Sequence, residues 1–153
     1  KKQGLFRQAK NCKTWFTDYK KKLEIMDSVS LIFLPFNVEM GSTGVSAIEI
    51  SGGYKIYVTL ERLKKDPNLF LIYSLNRELA KIKMKTVNKI FIHDQREMAA
   101  IELWIIIMDG MEKDLYKKYI VLAVPNIKER NQQLESVNWY FNNKELLKKA
   151  IKK

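Results

Sequence analysis

The sequence predicts an α+β fold: an N-terminal helix, a small three-stranded antiparallel sheet, then packed helices. Three observations predict it. Apolar residues first recur at spacings of three and four, change to alternation between residues 29 and 60, then return to helical spacing as far as the C-terminus. Gly-rich stretches at 41–44 and 51–53 fall inside the alternating part and mark turns. A chain of 153 residues, 46% of them apolar, can bury a sizeable core, and with no repeat or linker residues 1–153 read as one domain.

Residues 3–27 form the first helix. Leu5, Ala9, Cys12, Phe16, Tyr19, Leu23 and Met26 make one stripe, and Lys10, Lys13, Lys20 and Lys21 fall largely elsewhere. Cys12 lies on that stripe, so it reads as a small buried residue and not as a nucleophile. The apolar run "VSLIFLPF" (29–36) is the first strand. "VSAIEI" (45–50) and "YKIYVTL" (54–60) alternate and give two more, joined by hairpin-like turns with Gly52-Gly53 as the tightest.

Helix follows. "ERLKK" makes one short turn. Asp66-Pro67 supplies an N-cap and a first helical residue, and Leu69, Ile72, Leu75, Leu79 and Ile82 then line one face. Residues 85–89 read as a loop. A second long helix runs from about Asp94 to Lys118 with Ile101, Trp104, Met108, Met111 and Leu115 as its stripe and Gly110 as its weak point. Residues 118–124 fit a helix end or a short strand equally. Two segments, "IKERNQQLESVNWYF" and "KELLKKAIKK", complete the helical part.

Charge narrows the function classes. Lys and Arg number 28 against 17 Asp and Glu, a formal charge of +11. That excess favours an acidic partner, nucleic acid, anionic lipid or protein, although a lysine-rich solvated surface has the same composition. Lys20, Lys21, Lys22, Lys83 and Lys85 are the candidate anion contacts, with Trp15, Phe16 and Tyr19 near the first group. A single cysteine excludes an intrachain disulfide and a Cys-based zinc site, and fits the reducing cytoplasm. The longest apolar stretch, 98–108, contains Glu102 and is too short to span a bilayer; no signal peptide is expected, because a charged helical pattern and not a continuous apolar core follows the basic first residues.

One motif carries chemistry. "SLNRELAKIK" (74–83) places Glu78 between Arg77 and Lys81 in the frame H-E-x-x-H. With the strands before it and the helix after it, residues 45–108 resemble a small zincin, the metallopeptidase-like class that includes the ImmA/IrrE and SprT-like domains. "RELAK" keeps Glu78, Leu79 and Ala80 of the pattern "HELAH". The resemblance implies a zincin-like arrangement, with a third ligand from the next helix at Glu97 or Glu102.

Helix geometry gives the frame its meaning. Positions four apart share a face, so two imidazoles there can meet one Zn²⁺. Arg77 and Lys81 are cationic, offer only donors and repel a divalent cation, so neither a metal nor a cofactor is expected. Arg77, Glu78, Lys81 and Glu97 would form a relic cleft beside the strand at 54–60, read as an edge, with a cation site turned into one for anions or carboxylates. The competing reading is an ordinary helix. Glu102 is expected at the margin of its stripe, reaching water. His93 and Asp94 start the second helix, Asp94 near the N-cap, and one histidine with exposed carboxylates makes a poor metal site.

Three functions compete. The chain is expected to be a non-catalytic metallopeptidase-like basic domain that binds a protein or nucleic acid. The alternatives are a nucleic-acid-binding accessory protein of a phage or mobile element, and a metal-dependent hydrolase using carboxylates at Glu78, Glu97 or His93.

Overall fold

The computed structural model describes residues 2–34, 44–65, 68–87 and 95–152, without the side chains of residues 2, 3, 95, 97 and 152. The chain is α+β, as predicted. It opens with α1 (Lys2–Lys22), whose stripe buries Cys12, Phe16 and Tyr19, with Leu23 buried just past its end. The helix ends at Lys22 and not at 27. Glu24 takes a left-handed φ of 56°. Its N–H bonds to the Lys21 carbonyl and the Ile25 N–H to the Lys20 carbonyl, which closes a Schellman turn. The chain swings away there, so Met26 leaves the stripe and is 88% exposed.

Three strands follow: β1 (Val29–Phe33), β2 (Val45–Ile50) and β3 (Gly53–Val58). Their order is β1-β3-β2. The β2–β3 pair is an antiparallel hairpin, but β1 runs parallel to β3, with Val29 opposite Tyr54 and Phe33 opposite Val58. The sheet is therefore mixed, not antiparallel, and β3 is its central strand and not an edge. The cause is positional. Strand β2 takes the far edge, and its hairpin returns β3 into the middle in the same direction as β1. Gly53 permits the close approach, because a Cβ there would stand 2.4 Å from the Ser28 carbonyl oxygen. Tyr54, Ile56 and Val58, with Val45 and Ala47, turn to the core.

The predicted turn "ERLKK" is α2 (Leu60–Lys64), capped by Thr59, whose hydroxyl accepts the Arg62 N–H at 3.2 Å. The next helix, α3 (Leu69–Lys83), starts after Asn68; the cap expected at Asp66-Pro67 lies outside the described residues. Its predicted stripe holds, with Leu75, Leu79 and Ile82 fully buried. Leu71, Ser74, Asn76 and Ala80 are buried as well, so α3 is enclosed on most sides. It packs on α1 and β2, and on two later helices.

Those two helices correct the long one predicted over 94–118: they are α4 (Gln95–Ile107) and α5 (Lys113–Ala123). The start expected at His93-Asp94 lies outside the described residues. The break falls at the weak point. Asp109 has φ 55°, and the N–H groups of Asp109 and Gly110 bond to the carbonyls of Ile106 and Ile105 in a second Schellman turn. A Cβ on Gly110 would stand 2.4 Å from Asn76 Oδ1 and 2.8 Å from Leu23 Cδ2. Periodicity persists across the break because Met108 and Met111, both in the turn between the two helices, are buried. Residues 118–123 resolve as helix. The chain ends in α6 (Ile127–Asn142) and α7 (Lys144–Lys152). Among the described residues no helix is long and apolar enough to cross a membrane.

Gly110→Ala is expected to destabilise the fold by about 2 kcal/mol, since its methyl group must displace Asn76 and Leu23. Urea denaturation would measure this as a lower midpoint at unchanged slope.

Candidate functional site

The central helix α3 fixes the frame residues rigidly, because its other faces are buried. Arg77, Lys81 and Glu78 lie side by side along its polar margin and divide between two neighbours.

Glu78 turns to the sheet and is buried. Its Oε1 accepts the Ala47 backbone N–H at 3.0 Å, and its Oε2 lies 2.9 Å from Lys81 Nζ. The carboxylate thus joins α3 to β2, an edge strand, and satisfies one of its amides. This is ordinary work for a buried carboxylate. A charge taken out of water needs a cation and hydrogen bonds, and here it has both.

Arg77 turns the other way, to α4. Its guanidinium NH1 donates to the Tyr73 hydroxyl at 3.3 Å and stands 4.0 Å from Glu102 Oε1. The Tyr73 hydroxyl itself donates to Glu102 Oε1. Glu102 is therefore not the solvated margin residue that its sequence position implies. Its side chain keeps 30% exposure, but Oε2 is closed off from water and has no hydrogen-bond partner among the described residues. Burial pushes its carboxyl above the ordinary value of 4.5, and the Tyr73 hydrogen bond and the Arg77 charge offset only part of this. Burial disfavours the Arg77 charge, but Tyr73, Glu102 and Glu78 outweigh it, so the guanidinium stays firmly protonated. Tyr73 stacks on Tyr119 with ring centroids 3.8 Å apart, and burial raises both phenols.

The frame thus makes two ion pairs, Glu78–Lys81 on the sheet and Arg77–Glu102 on α4. The side chain of Glu97 lies outside the described residues, as do His93 and Asp94. Tyr73 and Glu102 are the residues that sequence reasoning underrated. A signal for them existed: Glu102 is the sole charge in the apolar run 98–108, and Tyr73 lies one helical turn before Arg77.

The candidate lysines also divide. Lys83 is structural: its Nζ donates to the Glu24 carbonyl at 2.9 Å and lies over the Trp104 ring. Lys22 pairs with Asp18 at 3.2 Å and Lys85 with Asp27 at 2.8 Å, both near the surface. Lys21 is exposed and Lys20 half-buried. Cys12 is fully buried, and burial pushes its thiol up to about 12, which leaves it inert as a nucleophile. Among the described residues no three His, Cys, Asp or Glu side chains group to hold a metal. Comparison with protein-family models, with curated proteins and with solved structures gives no match to this chain.

Glu78→Ala is expected to cost about 2 kcal/mol, because it strands the Ala47 amide and Lys81 together. Chemical denaturation measures the loss, and faster hydrogen exchange at the Ala47 amide locates it.

Glu102 gives a pH dependence of defined sign. The folded protein keeps its proton at pH values where the unfolded chain has lost it. Stability therefore falls as pH rises from about 4.5 through the raised value. Glu102→Gln is expected to flatten this part of a stability–pH curve; an unchanged curve would show that another group causes the fall.

Proposed function

We propose that this chain is a non-catalytic, metallopeptidase-like basic domain that binds an acidic partner, and that the partner is nucleic acid. The observation that carries the reading is the solvent face of α1. Seven Lys and Arg stand on that helix against one acid, Asp18, which is 3.2 Å from Lys22. Arg7, Lys10, Lys13 and Lys21 are all exposed. They extend over roughly 20 Å of helix, at a rise of about 1.5 Å per residue. A row of cations along one helix face suits the continuous line of phosphates on a nucleic-acid strand, whereas carboxylates on a protein surface form no such line.

The motif frame supports the non-catalytic half. Glu78 is committed to Ala47 and Lys81, and Arg77 to Tyr73 and Glu102, so the residues left from the H-E-x-x-H pattern hold helix to sheet and helix to helix. Lys22 and Lys85 can add to the basic surface, since exposed ion pairs are weak enough to exchange for a phosphate. A buried, unreactive Cys12 suits action in the reducing cytoplasm.

Fluorescence anisotropy with single- and double-stranded DNA over a salt series tests the reading. Affinity is expected to fall steeply with salt, by about 0.9 log units per log unit of salt for each duplex phosphate contacted. The triple change Lys10→Gln, Lys13→Gln, Lys21→Gln is expected to reduce that slope by about two to three with stability nearly unchanged. No binding at low salt, or a slope that survives the triple change, would overturn the assignment.

A further inference from the structure

A cavity of about 570 Å³ lies between α3, α4, α5 and α6. Met98, Ile106, Ile120 and Val137 supply apolar wall, and Tyr73, Arg77 and Glu102 form a polar end. The volume is that of a small-molecule site, and a few convergent polar groups on apolar walls are the usual make-up of one.

The polar end states what it can take. Glu102 Oε1 accepts the Tyr73 hydroxyl, while Oε2 is shut off from water and has no hydrogen-bond partner among the described residues. Beside it the Arg77 guanidinium offers donors, of which NH1 reaches Tyr73 at 3.3 Å. An acceptor and a donor thus stand next to each other. Arg77 and Glu102 together carry no net charge. A charged head group would leave an unbalanced charge against apolar walls, which is costly. A neutral group that presents N–H and C=O side by side satisfies both without adding charge.

We propose that this cavity binds a neutral, planar ligand with an amide edge, an aromatic carboxamide or lactam. Its N–H donates to the Glu102 carboxylate, whose side chain keeps 30% exposure, its C=O accepts from Arg77, and its ring lies against the apolar wall. The site is separate from the basic face of α1, and its ligand carries no phosphate, so the two assignments stand or fall apart.

The test uses three bicyclic probes of one shape on the full chain: naphthamide, naphthoate and naphthylmethylamine. Binding is read by ligand-induced shift of the melting temperature and by calorimetry. Naphthamide is expected to bind at least about tenfold more tightly than either charged probe. Glu102→Gln leaves the Arg77 charge uncompensated and is expected to move the preference to naphthoate. Ser136→Trp, at an exposed position of the cavity wall, is expected to abolish binding of all three while the fold remains. Preference of the unaltered protein for a charged probe would overturn the proposal. So would absence of binding, binding that survives Ser136→Trp, or an unchanged preference in a folded Glu102→Gln variant.

Discussion

The C-terminal end of α1 is the joint on which the other helices depend. A helix leaves its last carbonyls without partners, and burying such an end requires donors from elsewhere. Two come from different helices: Trp104 Nε1 on α4 donates to the Leu23 carbonyl at 2.9 Å, and Lys83 Nζ on α3 donates to the Glu24 carbonyl at 2.9 Å. Lys83 also lies over the Trp104 ring, 5.4 Å from its centroid, so the two donors brace each other. Gly110 brings the end of α4 against Leu23 and Asn76 at the same place. Three helices that share an apolar core are thus also tied at one point by a few polar contacts and one missing Cβ.

This joint explains how α3 can carry so many polar residues in a buried setting. Its position is set at its C-terminal end by Lys83, at its middle by Glu78 on β2, and toward α4 by Arg77 and Tyr73. Each charge has an opposite charge or a backbone group, which keeps burial from being prohibitive. A segment with the outline of a metal-binding helix is used throughout as a structural strut, while exposed cations such as Arg7, Lys10, Lys13 and Lys21 stand away from it on α1.

The period of apolar residues made α1, α3 and the strand segments legible, because those elements bury one face regularly. It could not show where the helices stop. The exits at Glu24, Lys85 and Asp109 all take left-handed φ without glycine, so the usual punctuation is missing and the stripes of α1 and α4 run on past their true ends. Strand order was hidden for a different reason. Gly53 reads as part of a turn, yet its lack of a side chain also serves the approach of β1, and nothing local separates these roles. At the candidate site, the neutralised frame was visible from Arg77 and Lys81. The partners of Arg77 were not, since they depend on how α4 lies across α3. Glu102 was misplaced because a helical wheel gives a direction but not what stands there.

The bond from Glu78 to the Ala47 amide has a consequence beyond holding α3 to the sheet. Strand β2 is an outer strand whose exposed residues include Ile48 and Ile50, 41% and 37% accessible. Such a strand is a template for addition of a strand from another molecule, the first step toward edge-to-edge aggregation. A lysine-paired carboxylate seated on its amide denies that position to an incoming backbone and sets a charge pair in its path. The pair of Glu78 and Lys81 therefore helps to keep one copy of the chain from joining its sheet to the next.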